Sequence, residues 1–344
     1  MSNRVTSPEA SAKARQGFWT IWKAFWFAPR QTLGLHTIRM IFGIILLCWL
    51  LPFAGYVDDF FGSDGWFDQT AYNEARQAGS QAEDLIGRHA WSPLYIIGQN
   101  TGVLHAFYWG SIVVLVLFTL GCFTRITSVL TWLIVFSYTV NPLISVDTDE
   151  FMRLIAFYLM IGYLLIDLLR TDLPLWQRIL PPFQHSVWSM LKTHENSVRS
   201  SAATVTLRLF QVHFALAVVM MGLQKLQIAE WWGGVTFWYP LHRPTETTLE
   251  GINSLRAKSE SYLMFISLAS YLVIIWQVFF PTFAWRGGLC RWVLLGGALA
   301  GTVGLMVIYP IPLMGPVFLL LCLTYLTDFE WFRIFSPLRR LVKG

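Results

Sequence analysis

The chain has 344 residues, of which 55% are hydrophobic and only 13% charged, and its mean hydropathy is +0.51. A soluble domain carries about 25% charged residues, so the composition excludes an ordinary soluble enzyme and points to an all-α membrane protein. The net charge of +5 comes from basic residues spread over many segments; with no basic stripe, it excludes a nucleic-acid footprint.

In chain order, residues 1–30 read as a cytoplasmic tail with an interfacial helix. Residues 1–16 are expected to be disordered. Phe18, Trp19, Ile21, Trp22, Phe25 and Trp26 then recur near helical spacing beside Lys23 and Arg30, the pattern of an amphipathic helix lying in a membrane interface. No cleavable leader is expected, because the first apolar run is already of full span length.

Residues 31–330 form one transmembrane domain, with no repeat and no linker inside it. About 20 apolar residues cross a bilayer and roughly 17 suffice. Eight stretches meet or approach that length: 34–54, 103–121, 126–141, 151–168, 202–224, 261–281, 290–309 and 312–327. The third and eighth are the shortest. Residues 331–344 are a cytoplasmic tail, anchored at the interface by Trp331-Phe332-Arg333 and Arg339-Arg340. The segment Trp176–Leu191 in the loop after the fourth stretch reads as a further interfacial helix, broken at Pro181-Pro182.

Charge orients the bundle. With the N-terminus in the cytoplasm, sixteen of the 25 basic residues fall on the inner side and six on the outer, with Arg39, Arg153 and Arg208 inside spans. The outer side holds fourteen of the 20 acidic residues. The positive-inside rule thus predicts eight spans in the cell inner membrane with both ends cytoplasmic. Cys48, Cys122, Cys290 and Cys322 all lie within spans or at their cytoplasmic ends, so no disulfide is expected and no pair has metal spacing.

Two outer loops are long. The first, about 55–102, interleaves Asp58, Asp59, Asp64, Asp68, Glu83 and Asp84 with Phe60, Phe61, Trp66, Phe67, Tyr72 and Trp91. The second, about 226–260, carries Trp231, Trp232, Phe237, Trp238, Tyr239, His242 and Arg243. Loops of this length serve as lids or binding loops, while their aromatics also suit an interfacial belt.

Lys225 is the foremost candidate residue. It ends the fifth apolar run in Gly222-Leu223-Gln224-Lys225-Leu226, six residues before Trp231-Trp232-Gly233-Gly234. A lysine at a span end ordinarily snorkels to the headgroups. One stripped of water by aromatics can instead serve as a general base. Asp147, Asp149, Glu150 and Arg153 open the fourth span on the same outer face, either as an acid–base partner set or as a solvated ion-pair rim. Arg39, Arg208 and Asp167 near the inner ends read as a buried structural network, and His213 as a packing histidine.

Four segments carry a resemblance: His36-Thr37-Ile38-Arg39-Met40-Ile41-Phe42-Gly43; Leu120-Gly121-Cys122-Phe123-Thr124-Arg125-Ile126-Thr127 with Asn141-Pro142; Asp147-Thr148-Asp149-Glu150 with Arg153; and Gly222-Leu223-Gln224-Lys225-Leu226 with Trp231-Trp232 and Gly234. In this order they resemble the horizontally transferred transmembrane (HTTM) family, over roughly residues 30–330. The best-known member of that family is the vitamin K-dependent gamma-carboxylase. The resemblance implies that Lys225 takes the place of the base that opens oxidation of a reduced quinone, which would then be the cofactor. Where the carboxylase has a histidine near the start of the fourth span, this chain has Asp149-Glu150. The carboxylase's large luminal C-terminal region has no counterpart after the eighth stretch. The resemblance therefore implies membrane-domain chemistry of a bacterial relative rather than carboxylation of a protein.

The sequence thus leaves two functions open. In the first, Lys225 with Glu150 and Arg153 forms a catalytic group, Trp231, Trp232, Asp149 and His242 bind substrate, and the partners are membrane lipids and a lipid-soluble small molecule. In the second, the chain is a non-catalytic scaffold that binds lipid or a protein partner. No nucleotide loop, metal set or nucleophile elbow is present in the sequence.

Overall fold

A computed structural model of the chain describes residues 17–66, 70–71, 73–74, 92–141, 144, 146–166, 199–242, 248, 250, 260–309 and 311–343, with side chains through 337. The 1–16 tail, the Trp176–Leu191 segment, Asp167, Trp91, Arg243 and the Arg339-Arg340 side chains lie outside the described residues.

The described residues are almost wholly helical. The elements are α1 Phe18–Phe27, β1 Arg30–Gln31, α2 Leu33–Leu50 with a 3-10 turn Leu51–Gly55, α3 Val57–Phe61, α4 Leu94–Ile97, α5 Thr101–Leu120, α6 Thr124–Thr139 and α7 Asp149–Ile166. They continue as β2 Arg199–Ser200, α8 Ser201–Lys225, α9 Ala229–Trp232, α10 Trp238–Leu241, α11 Glu260–Val278, α12 Phe280–Ala284, α13 Leu289–Val307, α14 Met314–Leu323 and α15 Asp328–Lys343.

Five of these are long and apolar enough to cross a membrane: Leu33–Gly55, Thr101–Leu120, Ser201–Lys225, Glu260–Val278 and Leu289–Val307. The other three predicted stretches are helices that fall short of that standard. α6 has 16 residues, α7 carries Asp149, Glu150 and Arg153 in its first turns, and α14 has only 10 residues. At about 1.5 Å per residue α14 rises about 15 Å, half of a hydrocarbon core. It packs on α13 instead of spanning alone, with Thr302 Oγ1 donating to Gly315 O at 3.0 Å.

Small residues let the helices approach. A Cβ on Gly43 of α2 would fall 3.2 Å from Thr119 Cα on α5. One on Gly162 of α7 would fall 3.2 Å from Thr206 Cβ on α8. Backbone contact at small residues is how helices gain dispersion energy where lipid offers no hydrophobic drive. The α5–α6 connection is a tight reversal, with Gly121 at φ 88° and its N–H and that of Cys122 both donating to Leu117 O.

α1 exposes Phe18, Trp19, Ile21 and Trp22 and buries none of its residues, as an interfacial helix does. It is also fixed to the bundle: Arg208 Nε donates to Phe25 O at 3.1 Å, and its guanidinium carbon lies 4.1 Å from the Phe25 ring centroid. Beside it, β1 and β2 pair antiparallel, Arg30 opposite Ser200. Thr204 Oγ1 donates to Ala28 O at 2.7 Å and accepts from Arg30 N–H at 3.1 Å.

Gln211, buried on α8, joins three segments: α8 itself and the ends of α12 and α14. Its Oε1 accepts from Arg208 Nη1 at 2.7 Å and from Trp285 Nε1 at 3.1 Å. Its Nε2 donates to Thr324 O at 2.7 Å, and its backbone carbonyl accepts from Tyr325 O–H. Arg208 is therefore satisfied by Gln211 and Phe25. Of the expected network of Arg39, Arg208 and Asp167, the described residues place Arg39 against Gly121 and Tyr163, and Asp167 lies outside them.

α15 returns beneath the bundle. Arg291 Nε donates to Glu330 Oε1 at 2.8 Å, and Thr327 donates to Glu330 Oε2 through both its N–H and its hydroxyl. Partial burial alone would raise the Glu330 carboxyl above its ordinary 4.5, but the Thr327 and Arg291 bonds outweigh it and hold the value lower. A depressed carboxyl contributes stability that is present above the unfolded value and is lost as pH falls through the folded one. We expect Glu330→Gln to cost about 2 kcal/mol at pH 7 and to flatten the acid limb below pH 4.5. Thermal unfolding in detergent across pH 3–7 checks this; equal acid limbs in both proteins would sink it.

Candidate functional site at the end of helix α8

α8 starts where Ser200 Oγ accepts from Ala203 N–H and runs 25 residues to Lys225. The chain then turns through Ile228, whose N–H donates to Lys225 O, into the single turn of α9. Gly234, at φ 66°, closes this turn, and a Cβ there would fall 2.8 Å from Ser267 Cβ on α11. Only glycine suits both that backbone and that approach.

This geometry sets Trp231 over the lysine. Trp231 is buried, and Lys225 Nζ lies 5.1 Å from its ring centroid, within cation–π range. The ammonium is half-buried and reaches Met221 O at 3.5 Å, the limit of a hydrogen bond. Among the described residues no carboxylate stands within ion-pair distance of it. Trp232 has a different role. Its ring is exposed, its Nε1 donates to Leu226 O and its carbonyl accepts from Tyr271 O–H at 2.7 Å, so it clamps the turn to α11.

The acidic group at the start of α7 is separate. Arg153 Nη2 donates to Glu150 Oε1 in an i,i+3 pair, with Glu150 80% exposed. Asp149 is buried, and its Oδ2 accepts from Val146 N–H at 3.0 Å, which fixes the entry to α7. The α7–α8 register is set by Gly162 against Thr206, Tyr158 O–H with His213 Nδ1 at 3.0 Å, and Phe151 against Phe214. That register puts Arg153 level with about Ala215. Lys225 lies ten residues further, about 15 Å along the helix. The structure thus brings Trp231 to Lys225, turns Trp232 to Leu226 and Tyr271, and leaves Glu150, Arg153 and Asp149 apart from the lysine.

His242 also acts locally. Its ring stacks on Trp238 at 4.0 Å, Nδ1 donates to Trp238 O at 3.0 Å, and Nε2 sits 3.4 Å from Tyr262 O–H on α11. With Nδ1 carrying the proton, Nε2 is the acceptor, a tautomer assigned from these partners. The histidine latches the end of α10 onto α11.

Two features were not singled out from sequence. A cavity of about 230 Å³ is lined by Phe61, Ser63, Thr70, Tyr95, Gln99 and Asn141 among others. Its walls are aromatic and neutral polar, and its residues come from four separate segments, a combination no local pattern announces. The second is His36, whose Nδ1 lies 2.6 Å from Tyr163 O–H at the heart of α2 and α7. The spacing of His36 and Arg39, one turn apart in an apolar helix, was the available signal.

Among the described residues no group of three or more His, Cys, Asp or Glu could hold a metal ion. No family model matches the chain, and neither a curated protein nor a solved structure does.

If Trp231 is the cover on Lys225, Trp231→Ala will speed acylation of Lys225 by an amine-directed reagent several-fold, and Glu150→Gln will leave it unchanged. Peptide mapping by mass spectrometry reads both. Equal rates in wild type and Trp231→Ala would show that the indole shields nothing.

Proposed function

We propose that this chain is an inner-membrane protein of eight spans, both ends cytoplasmic, in which Lys225 acts as a base on a quinone-like or other lipid-soluble molecule. The observation that carries this reading is an ammonium group half-withdrawn from water under Trp231, with no carboxylate among the described residues within ion-pair distance of it. In the free-amine form Nζ would take a proton from an acidic O–H of the bound molecule. The Trp231 face would then stabilise the ammonium so formed, by about 0.5–2 kcal/mol. The resemblance to the HTTM family supports a reduced quinone as that molecule. Glu150 and Arg153, paired with each other, would serve this site only through the shape of α7.

A second reading is a non-catalytic scaffold for lipid or a protein partner. It is favoured by one observation: Glu150 with Arg153 and His242 with Trp238 and Tyr262 are all engaged structurally, leaving Lys225 without an acid–base partner among the described residues. Complementation of a deletion strain separates the two. Arginine keeps the charge but cannot act as a base near neutrality. The base reading expects Lys225→Arg and Lys225→Ala both to fail while inserting and folding normally. If Lys225→Arg functions and Lys225→Ala does not, the lysine is an electrostatic anchor and the base reading is lost.

The topology has its own check. In a cysteine-free background, cysteines placed at Asn100 and Glu230 should react with an impermeant thiol reagent added outside, and one at Arg286 should not. Labelling of Glu230→Cys from the cytoplasmic side only would reverse the assignment.

A further inference from the structure

The turn between α5 and α6 gathers buried polar groups that have no hydrogen-bond partner among the described residues. Arg39 has no exposed surface, and its Nε, Nη1 and Nη2 are all unpartnered. Its guanidinium lies on the bare face of Gly121, where a Cβ would fall 2.6 Å from Nη1 and 2.7 Å from Nη2. Arg125, 9% exposed, has Nε and Nη2 buried and unpartnered. The Thr124 hydroxyl, also with no exposure, is in the same condition. These two residues form the first turn of α6, a 16-residue helix whose N-cap is Phe123, in a left-handed conformation and with no side-chain cap. Its leading N–H groups are therefore open, at the positive end of the helix dipole.

Two guanidinium groups, a hydroxyl and an uncapped helix start make one chemistry. An isolated buried cation costs several kcal/mol unless an anion faces it, and a guanidinium fork fits a phosphate in two bonds at once. The surroundings agree in sign. The same end of the bundle carries Lys23, Arg30, Arg199, Arg286, Arg291 and Arg333 among the described residues, against Asp328 and Glu330. Arg39 lies six residues into α2, about 9 Å from the helix start. Basic pockets between helices on the positive side of a membrane protein are where anionic headgroups bind.

We infer that Arg39, Thr124 and Arg125, with the first turn of α6, form a binding site for a phosphate group, carried by an anionic phospholipid or by free phosphate. The sequence supplies one internal competitor, Asp167, four residues beyond Tyr163.

The test uses the delipidated full chain in detergent. Native mass spectrometry with phosphatidylglycerol and phosphatidylcholine reads lipid binding; thermal shift with inorganic phosphate reads the free ion. Phosphatidylglycerol is expected to bind about tenfold tighter than phosphatidylcholine, and Arg125→Gln to remove that preference. Arg39→Gln is expected to do the same, and Asp167→Asn to keep it. A phosphate-induced shift lost in Arg125→Gln, without lipid preference, would assign the same site to the free ion. Equal binding of the two lipids with no phosphate shift overturns the inference, as does a preference that Arg125→Gln leaves intact. If Asp167→Asn destabilises the protein as much as Arg39→Gln and phosphate has no effect, the counter-charge is internal and the site does not exist. Should Arg39→Gln fail to fold, Arg125→Gln, at the rim of the cluster, decides alone.

Discussion

A bundle with lipid on its outside has little hydrophobic reason to choose one helix packing over another, so its buried polar groups must choose. Gln211 does so here. One side chain and its carbonyl take up Arg208, Trp285, Thr324 and Tyr325 at once, and every polar atom of the amide is used. In a low-dielectric interior each unmade bond of that set would cost about 1–3 kcal/mol. The register of α8 against α12 and against the end of α14 is thus fixed at one point, and aromatic contacts such as Phe214 with Phe280 and Phe318 fill in around it.

The position of Lys225 descends from that point. It lies fourteen residues after Gln211, about 21 Å up a helix that cannot slide. Close approaches extend the same seam: Gly222 against Gln277 and Val278, and Gly234 against Ser267. The lysine stands where α8 ends and the chain folds back onto α11, and the return brings Trp231 over it. The rigidity of the corner comes from glycines and backbone carbonyls, which leaves the ammonium itself uncommitted.

Much of this architecture was legible in the residues. Runs such as Ile41–Leu51 and Val113–Leu120 announce membrane helices through hydropathy, because the bilayer imposes length and apolarity together. The aromatic spacing of Phe18, Trp22 and Trp26 announces α1. That the eighth stretch is a ten-residue helix packed on α13 was not legible from hydropathy alone. The depth of Lys225 relative to Arg153 was not legible, because it depends on the α7–α8 register, which Gly162, Thr206 and His213 set across some 45 residues of chain. Gln211 gave no signal either: a lone neutral amide in an apolar run looks like tolerance until its partners, as far as 113 residues away, are in place.

The two-residue ladder between Arg30 and Ser200 has a consequence for how the protein is made. Its strands are 170 residues apart, Thr204 and Arg208 hold the same N-terminal segment, and Asp328 accepts from Gln31 N–H at 3.2 Å. At about 5–20 residues per second, a ribosome needs about 10–30 s to pass from one strand to the other. Through that interval α1 lacks Thr204 and Arg208, and a membrane interface is the surface suited to its exposed tryptophans. α1 is therefore made well before β2 and α8, and it reaches its contacts with them only once they have been made.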